Sequence, residues 1–489
     1  MIQLFDLLGT PRPAIINFVR RPFFFPSLIL GQHMSQTPPA DGTSSAAQHA
    51  EGQHAESQRL DRQQVDNRRK FIRGSSLLIA SALPAAGMAV ASSATLPTAP
   101  STLPGQTTPH SSTFASQQQR EVKLGLIGCG FRGTSVISNL LASQPGDWRW
   151  QLTAVADAFP DRMQQALRGL KGKFPQQVAV DSAARCLGLT GYQQLLESDV
   201  DLVLLATPPA FRPEHFEAAV AAGKHVYAEK PIAVDVEGVR RFQAANARAV
   251  EQGLLVSVGR PRLQQTQFQA TLSRLRDGAI GRIISARAFQ NVRLPAPVRA
   301  SKSVPERDVQ LRNWTHHNWA SGGPWIEPQI HSLDTMNYLF DAHPQAARPA
   351  DSTTLNGIGE LENFRRGSAQ SADWGRHQPV EFLYAGGASL LSYCQSVEPS
   401  QPVQRLLTVH GTHGHADLIA GKIFNSAGRL VWRAPQIVYG GEQFDTLITA
   451  LGNGAQLNEA EAAVEATLTA ILGRTANSRG QRVEWDEVA

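Results

Sequence analysis

The strongest constraint on the fold is the stretch EVKLGLIGCGFRG, which spans residues 121–133. Its apolar first half predicts a buried β-strand, and a G-x-G-x-x-G pattern follows at Gly128, Gly130 and Gly133. Apolar residues at helical spacing continue through 136–141. A strand, a tight glycine turn and a helix in this order bind the pyrophosphate of a dinucleotide, because the amide groups at the helix N-terminus point at the phosphates. The sequence therefore predicts a dinucleotide-binding unit here.

Composition narrows the class of protein. The chain has 489 residues, of which 42% are apolar, so it is long enough for two or three domains with a sizeable core. The net charge is only +5 and no basic tract is present, which argues against a nucleic-acid-binding protein. Its cysteines, Cys129, Cys186 and Cys394, are scattered and lack metal-ligand spacing. They predict neither a disulfide framework nor a metal site.

The first 119 residues differ from the rest of the chain. Residues 1–66 are predicted to be a disordered extension, since much of this stretch is polar and poor in large apolar residues. Residues 67–94 begin with NRRKFIR and continue as a weakly apolar run, a pattern similar to a twin-arginine export signal. The alternative is an arginine pair in a polar tail beside an Ala-rich run. Residues 95–119 are rich in Thr, Pro, Ser and Gln and predict a linker. An exported, periplasmic protein is expected if the signal is real, and a cytoplasmic one otherwise; no stable membrane span is predicted.

Strands and helices alternate after residue 121, as a parallel α/β sheet requires. The second predicted strand, 150–156, ends in Asp157. An acidic residue at this place accepts the ribose hydroxyls of NAD and repels the 2′-phosphate of NADP, which favours NAD. The alternative is a turn or N-cap aspartate ahead of Pro160.

Two further strands end in polar segments. The strand at 201–206 leads into Thr207-Pro208-Pro209, and the strand at 224–228 leads into Glu229-Lys230-Pro231. Ligands of doubly wound sheets bind at the carboxyl ends of the strands, so both segments are expected beside the cofactor. For Lys230 the alternative is an ordinary surface lysine.

The segment 312–338 holds the second group of candidates. Glu327 and His331 are four residues apart, so a helix through both would place them on one face as a proton-relay pair. No further ligands stand at metal spacing, which favours a relay over a metal site. The alternative for His331 is a structural histidine capped by its neighbour.

The region after 260 is predicted to be an α+β domain. Its strand segments group together instead of alternating with helices. A helix is predicted at about 235–252, before this region. Within the region, helices are predicted at 264–277 and 458–473, strands at 281–290, 379–396 and 404–419, and a hairpin between 414–424 and 428–434.

Several segments together resemble one family. The GCGFRG turn, DLVLLATPPAFRPEH, KHVYAEKPIAVD and RNWTHHNWASGGPWIEPQIHSLDTMNYL are similar to the Gfo/Idh/MocA family of glucose–fructose oxidoreductases and inositol dehydrogenases, over most of 121–489. The resemblance implies an NAD-binding Rossmann domain at 121–260 and a substrate and oligomerisation domain with a mostly antiparallel sheet at 261–489. It also implies an NAD(P)-dependent oxidoreductase acting on a sugar, polyol or related carbohydrate, and a possible homo-oligomer.

The resemblance assigns roles to individual residues. Lys230 and His331 match the catalytic lysine and histidine, while Glu327 stands where the family usually has aspartate. Trp314, His317 and Trp319 are expected to line the substrate pocket with Lys230 and His331. Cofactor contacts are expected from Gly128, Gly130, Phe131, Arg132, Gly133, Asp157, Thr207, Pro208, His215, Glu229 and Lys230.

Three functions remain open at this stage. The first is the oxidoreductase, and the second is a glycosidase that oxidises a sugar ring carbon transiently with bound NAD. The third is a catalytically silent NAD-binding or sugar-binding module. Export would require a tightly held cofactor, because a twin-arginine route carries folded proteins and free NAD is scarce outside the cytoplasm.

Overall fold

The computed structural model describes residues 120–143, 148–299, 304–350, 379–397, 400–435 and 442–489. These residues belong to one compact unit. The predicted extension, signal segment and linker lie outside the described residues. None of the helices in the described ranges combines the length and the apolar character that a membrane crossing needs.

The described helices and strands alternate up to residue 258 and then group by type. The α-helices are α1 (Phe131–Ala142), α2 (Pro160–Lys173), α3 (Gly191–Leu196), α4 (Arg212–Ala221), α5 (Val236–Glu251), α6 (Pro261–Gln264), α7 (Thr266–Arg276), α8 (Glu306–Arg312), α9 (Asn318–Ser321), α10 (Gly323–Ile326), α11 (Ile330–Phe340), α12 (Asp445–Asn453) and α13 (Ala460–Arg479). The strands are β1 (Arg120–Ile127), β2 (Trp148–Asp157), β3 (Arg185–Leu187), β4 (Leu202–Leu205), β5 (His225–Ala228), β6 (Val256–Val258), β7 (Ile283–Val292), β8 (Ala346–Pro349), β9 (Val380–Leu383), β10 (Ser389–Ser396), β11 (Arg405–Gly411), β12 (Gly414–Asp417), β13 (Lys422–Asn425), β14 (Leu430–Arg433) and β15 (Val483–Glu484).

The first six strands form one parallel sheet in the order β3-β2-β1-β4-β5-β6. Helices flank this sheet, so its central strands are apolar throughout; all four residues of β4 are buried. Each such leucine or valine contributes about 1.5–3 kcal/mol by leaving water. The predicted doubly wound Rossmann sheet is confirmed, and it brings the carboxyl ends of β1, β2, β4 and β5 to one edge.

The remaining nine strands form a second sheet in the order β14-β13-β12-β11-β7-β10-β9-β8-β15. Its pairs are antiparallel except for β7 with β10. The predicted mostly antiparallel second sheet is therefore confirmed. Helix α13 packs against α5, α11 and β8, and one apolar core joins residues of both sheets. This shared core holds α11 opposite the carboxyl edge of the Rossmann sheet.

Some predicted strands of the second sheet have wrong boundaries. The segment 379–396 is two strands, β9 and β10, separated by a turn at Ala385–Gly387. Likewise 404–419 divides into β11 and β12, and the predicted hairpin pairs only β13 with β14. The error has a physical cause: the alternating apolar pattern continues on both sides of a tight turn, so the pattern does not show where the chain reverses.

Candidate cofactor and substrate site

The glycine turn is held between β1 and β4. Gly128 has φ +99°, and a Cβ there would lie 2.7 Å from the carbonyl carbon of Ala206. A Cβ on Gly133 would lie 2.0 Å from the carbonyl oxygen of Gly128. Both positions therefore need glycine, the first for its backbone conformation and the second for the close approach of α1 to the turn.

A cavity of about 310 Å³ opens in front of this turn. Nine of the predicted cofactor or pocket residues line it: Gly128, Gly130, Phe131, Arg132, Asp157, Thr207, Pro208, His215 and Trp314. Helix α1 has no side-chain N-cap and no acidic residue in its first turn, and a Cβ on Gly130 would meet nothing within 4 Å. Free amide groups of a helix N-terminus facing open space fit the pyrophosphate of a dinucleotide.

Asp157 ends β2 at the rim of the cavity. Its Oδ2 accepts a hydrogen bond from the Cys129 amide at 2.7 Å, and its Oδ1 accepts one from the Phe159 amide at 2.9 Å. Burial raises the pKa of this carboxyl, while the two backbone hydrogen bonds lower it. Asp157 can therefore stabilise the turn and bind the ribose at the same time, because each carboxylate oxygen keeps a lone pair for a ribose hydroxyl.

Thr207 and His215 meet on the β4 side of the cavity. Thr207 Oγ1 lies 3.1 Å from His215 Nδ1, and the imidazole packs against the ring of Tyr192. Burial lowers the pKa of His215 to about 4. The imidazole is therefore neutral near pH 7, and Thr207 is oriented by it.

Glu229 is almost completely buried below the cavity, with 2% of its side chain exposed. Its Oε1 lies 2.7 Å from Arg132 Nη2 and accepts a longer hydrogen bond from the Tyr227 hydroxyl. Arg212 donates a hydrogen bond to the carbonyl oxygen of Pro231. Glu229 thus orients Arg132, the second residue of α1, while Phe131 beside it is 92% exposed at the cavity mouth.

Lys230 follows the end of β5, and its peptide bond to Pro231 is cis. Its Nζ donates to the carbonyl oxygen of Glu327 at 2.9 Å and lies 3.7 Å from Glu327 Oε1. Only 13% of the lysine side chain is exposed, so the alternative of a surface lysine is wrong. Burial lowers the pKa of Lys230, and the carboxylates of Glu327 and Glu229 oppose that shift.

His331 lies in the first turn of α11, whereas Glu327 lies before this helix, at the end of α10. The predicted common helical face is therefore absent. Within the described ranges no hydrogen bond joins the imidazole to Glu327, the neighbour that was expected to cap or tune it. Burial lowers its pKa well below the ordinary value, and repulsion by Lys230, Arg262, Arg132 and Arg405 adds to the shift.

The three other predicted pocket residues occupy the segment before α10. Trp314 lies in a short 3₁₀ turn and lines the cofactor cavity. Trp319 is 44% exposed and meets the Phe211 ring edge-on at 6.2 Å. His317 is half-buried and precedes α9. Of these three residues Trp314 lines the cavity, whereas Trp319 is more exposed than Lys230, of whose side chain 13% is exposed.

Two arginines that follow β6 were not predicted as site residues from the sequence. Arg260 pairs with the buried carboxylate of Asp334 at 2.6 Å and 2.9 Å, which anchors α11 to the end of the Rossmann sheet. Arg262 donates to Ser332 Oγ at 3.0 Å. No local motif surrounds either arginine, so only the tertiary contact reveals them. In the described part of the chain no group of three His, Cys, Asp or Glu residues could hold a metal ion.

The comparisons with known proteins agree with this geometry. Residues 122–260 match the sequence model of the GFO_IDH_MocA family, described as an oxidoreductase family with an NAD-binding Rossmann fold. The matched range includes the glycine turn, Asp157, Thr207, His215 and Lys230.

Curated relatives are similar over part of their length. A 1,5-anhydro-D-fructose reductase of Ensifer adhaerens is 29% identical over 161 residues, covering 32% of this chain and 44% of that protein. A scyllo-inositol 2-dehydrogenase (NAD(+)) of Bacillus subtilis is 23% identical over 245 residues, or 50% of this chain and 59% of that protein. A glycosyl hydrolase family 109 protein of Streptomyces coelicolor is 34% identical over 143 residues, or 28% and 27% of the two chains. The chain thus spans about a quarter to three fifths of the length of these relatives.

Solved structures share the fold over a larger share of the chain. The aldose-aldose oxidoreductase of Caulobacter crescentus, complexed with glycerol, matches with a TM-score of 0.54 and 19% identity, covering 75% of this chain and 100% of that one. The scyllo-inositol dehydrogenase of Lactobacillus casei, with bound NAD(H) and scyllo-inositol, matches with a TM-score of 0.52 and 17% identity, covering 75% and 100%. Residues 122–260 therefore match the NAD-binding Rossmann domain of the GFO_IDH_MocA oxidoreductase family, and inositol dehydrogenases are among the proteins to which the chain is similar.

Proposed function

We propose that the chain is a nicotinamide-dependent oxidoreductase that oxidises a carbinol group of a sugar, polyol or related carbohydrate. One observation carries the proposal: Lys230 leaves the cofactor edge of the Rossmann sheet and contacts Glu327, four residues before His331. This contact supports a site in which the Lys230 cation and the neutral His331 imidazole act together at the junction of the nucleotide cavity and the second sheet. NAD, when bound, supplies the hydride acceptor.

The side chains divide the work at the substrate oxygen. His331 is neutral near pH 7 because burial and the surrounding cations disfavour its charged form, so it can accept the hydroxyl proton. Lys230 is mostly buried and can donate a hydrogen bond to the same oxygen, which stabilises the negative charge that develops there. Glu327 orients Lys230 through both its carbonyl and its carboxylate. Trp314, His317 and Trp319 would exclude water from the pocket mouth.

The proposal extends to cofactor, location and assembly. Asp157 favours NAD over NADP, and the closed glycine turn suits tight retention of the cofactor. A twin-arginine signal at 67–94, a periplasmic location and an encounter with the export machinery are part of this proposal and rest on the sequence. The division into domains at 121–260 and 261–489 and a homo-oligomer belong with them.

Replacing Lys230 with Met tests the assignment. We expect NAD binding to stay within a few fold of the unchanged protein, while turnover of an active carbohydrate falls by about 10²–10⁴, as removal of a positioned proton-handling group does. Lys171→Met, at an exposed position of α2, is the matched control and should retain turnover. Equal turnover of the Lys230→Met protein and the control would refute the role of Lys230.

A second candidate function is favoured by the similarity to a glycosyl hydrolase family 109 protein. A glycosidase using bound NAD would perform transient oxidation with no net redox change. Aryl glycosides incubated with the purified chain separate the two candidates. Release of the aglycone without added cofactor supports the glycosidase, whereas lasting reduction of NAD by a free sugar or polyol supports the oxidoreductase.

A further inference from the structure

Two arginines lie near His331 on the side of the second sheet, away from the nucleotide cavity. Arg262 of α6 hydrogen-bonds Ser332, the residue that follows His331. Arg405 begins β11 and lies opposite Gln290 of β7, which in turn lies opposite Cys394 of β10. Gln329, two residues before His331, donates hydrogen bonds to the carbonyl oxygens of Ala288 in β7 and Tyr393 in β10 at 3.2 Å and 2.7 Å. Arg262 and this end of the second sheet therefore both lie beside the start of α11.

Both guanidinium groups act on the same imidazole. Arg262 and Arg405 each lower the pKa of His331 by charge repulsion. Burial, followed by repulsion from Arg405, lowers the pKa of Arg262 to about 10. Positive charges around one imidazole disfavour its protonated form.

The nearby carboxylates are already paired with other cations. Glu229 pairs with Arg132, Glu327 with Lys230, and Asp334 with Arg260. In the part of the chain that the structure describes, no carboxylate forms an ion pair with Arg262 or Arg405. Arg262 is half-buried, whereas Arg405 is exposed, so the pair is open to a ligand from solvent. Planar guanidinium groups bind carboxylate and phosphate oxygens in pairs.

We propose that Arg262 and Arg405 bind an anionic group of the substrate, so that the preferred carbohydrate carries a carboxylate or a phosphate. This inference rests on the proposed function, because it places the anionic substituent beside the same pocket in which His331 and Lys230 hold the reacting hydroxyl. A neutral polyol would leave the two cations without a counter-charge. An anion bound there would also favour the protonated imidazole and so raise the pKa of His331 during the reaction.

Calorimetric titrations of the full chain with its bound cofactor test the proposal. The probes are gluconate against its uncharged counterpart glucitol, and glucose 6-phosphate against glucose, at constant ionic strength. We expect at least one anion to bind about tenfold or more tightly than its neutral partner, a difference of about 1.4 kcal/mol. The pair that shows the preference distinguishes a carboxylate from a phosphate substrate.

The variants Arg262→Gln and Arg405→Gln should each remove most of that preference. Arg433→Gln, an exposed arginine of the edge strand β14, is the control and should retain it. Because Arg405 is exposed, its variant is expected to fold, and thermal melting checks both. Equal affinity for charged and neutral partners, or a preference that survives both substitutions, would overturn the inference.

The same samples separate this inference from the proposed function. Reduction of the bound cofactor is followed by its near-ultraviolet absorbance during each titration. If an anion binds tightly but the bound cofactor is never reduced, the anion site is supported and the oxidoreductase is not. If glucitol and gluconate bind with equal affinity and both are oxidised, the oxidoreductase is supported and the anion site is refuted.

Discussion

Single residues at this site serve both structure and chemistry. Asp157 faces the cavity and also accepts a hydrogen bond from the Cys129 amide in the glycine turn. Glu229 is buried and orients Arg132 through an ion pair. Glu327 was expected to tune His331 from a shared helical face, yet it contacts Lys230. Sequence spacing identified the residue but not its partner, because α11 begins only at Ile330.

Replacing Glu327 with Gln tests which residue it serves. The carboxylate favours the charged form of Lys230, so its loss should lower the pKa of Lys230 further. If protonated Lys230 is the active form, the alkaline limb of the rate profile should then move to lower pH. The acidic limb, which reports His331, should remain nearly in place. A shift confined to the acidic limb would instead restore the predicted pairing of Glu327 with His331.

At the scale of elements, the Rossmann half was predictable because its signals are local. Continuous apolar runs, Gly128 and the residue at the end of each strand define β1, β2, β4 and β5 without reference to the rest of the chain. The second sheet depends on pairing between distant strands, such as β7 with both β10 and β11, and local patterns do not report such pairing. Arg405 comes near α11 through this strand pairing and Arg262 through its contact with Ser332, so no local pattern links the two arginines.

Replacing Gly133 with Ala tests the fit of α1 against the turn. The new Cβ would lie 2.0 Å from the Gly128 carbonyl oxygen, so α1 must shift and the protein should lose about 1–3 kcal/mol of stability together with NAD affinity. Gly169→Ala in α2, where a Cβ meets nothing within 4 Å, should be neutral or stabilise by about 0.5–1 kcal/mol. Chemical denaturation and NAD titration of both variants measure the difference. Unchanged affinity in the first would mean that the turn tolerates displacement.

The whole molecule should be sensitive to acid because it buries neutral histidines. The pKa of His215 is lowered from 6.5 to about 4, so the unfolded chain binds more protons between these values. This contribution to stability is complete above pH 6.5 and is lost as the pH falls toward about 4. The free energy of unfolding, measured near neutral pH and at about pH 5, should fall less in His215→Gln than in the unchanged chain. An equal fall would assign the acid sensitivity to other groups.

The central claim joins the nucleotide cavity to Lys230 and His331 in one redox site. Its most direct measurement is the redox state of nicotinamide in the purified chain, followed by absorbance while charged and neutral carbohydrates are added, with mass analysis of the released cofactor. We predict that NAD is released on denaturation, that at least one carbohydrate reduces it in the unchanged protein, and that the same carbohydrate fails to do so in Lys230→Met. A chain that binds no nicotinamide nucleotide, or whose bound NAD no carbohydrate reduces, would contradict the account.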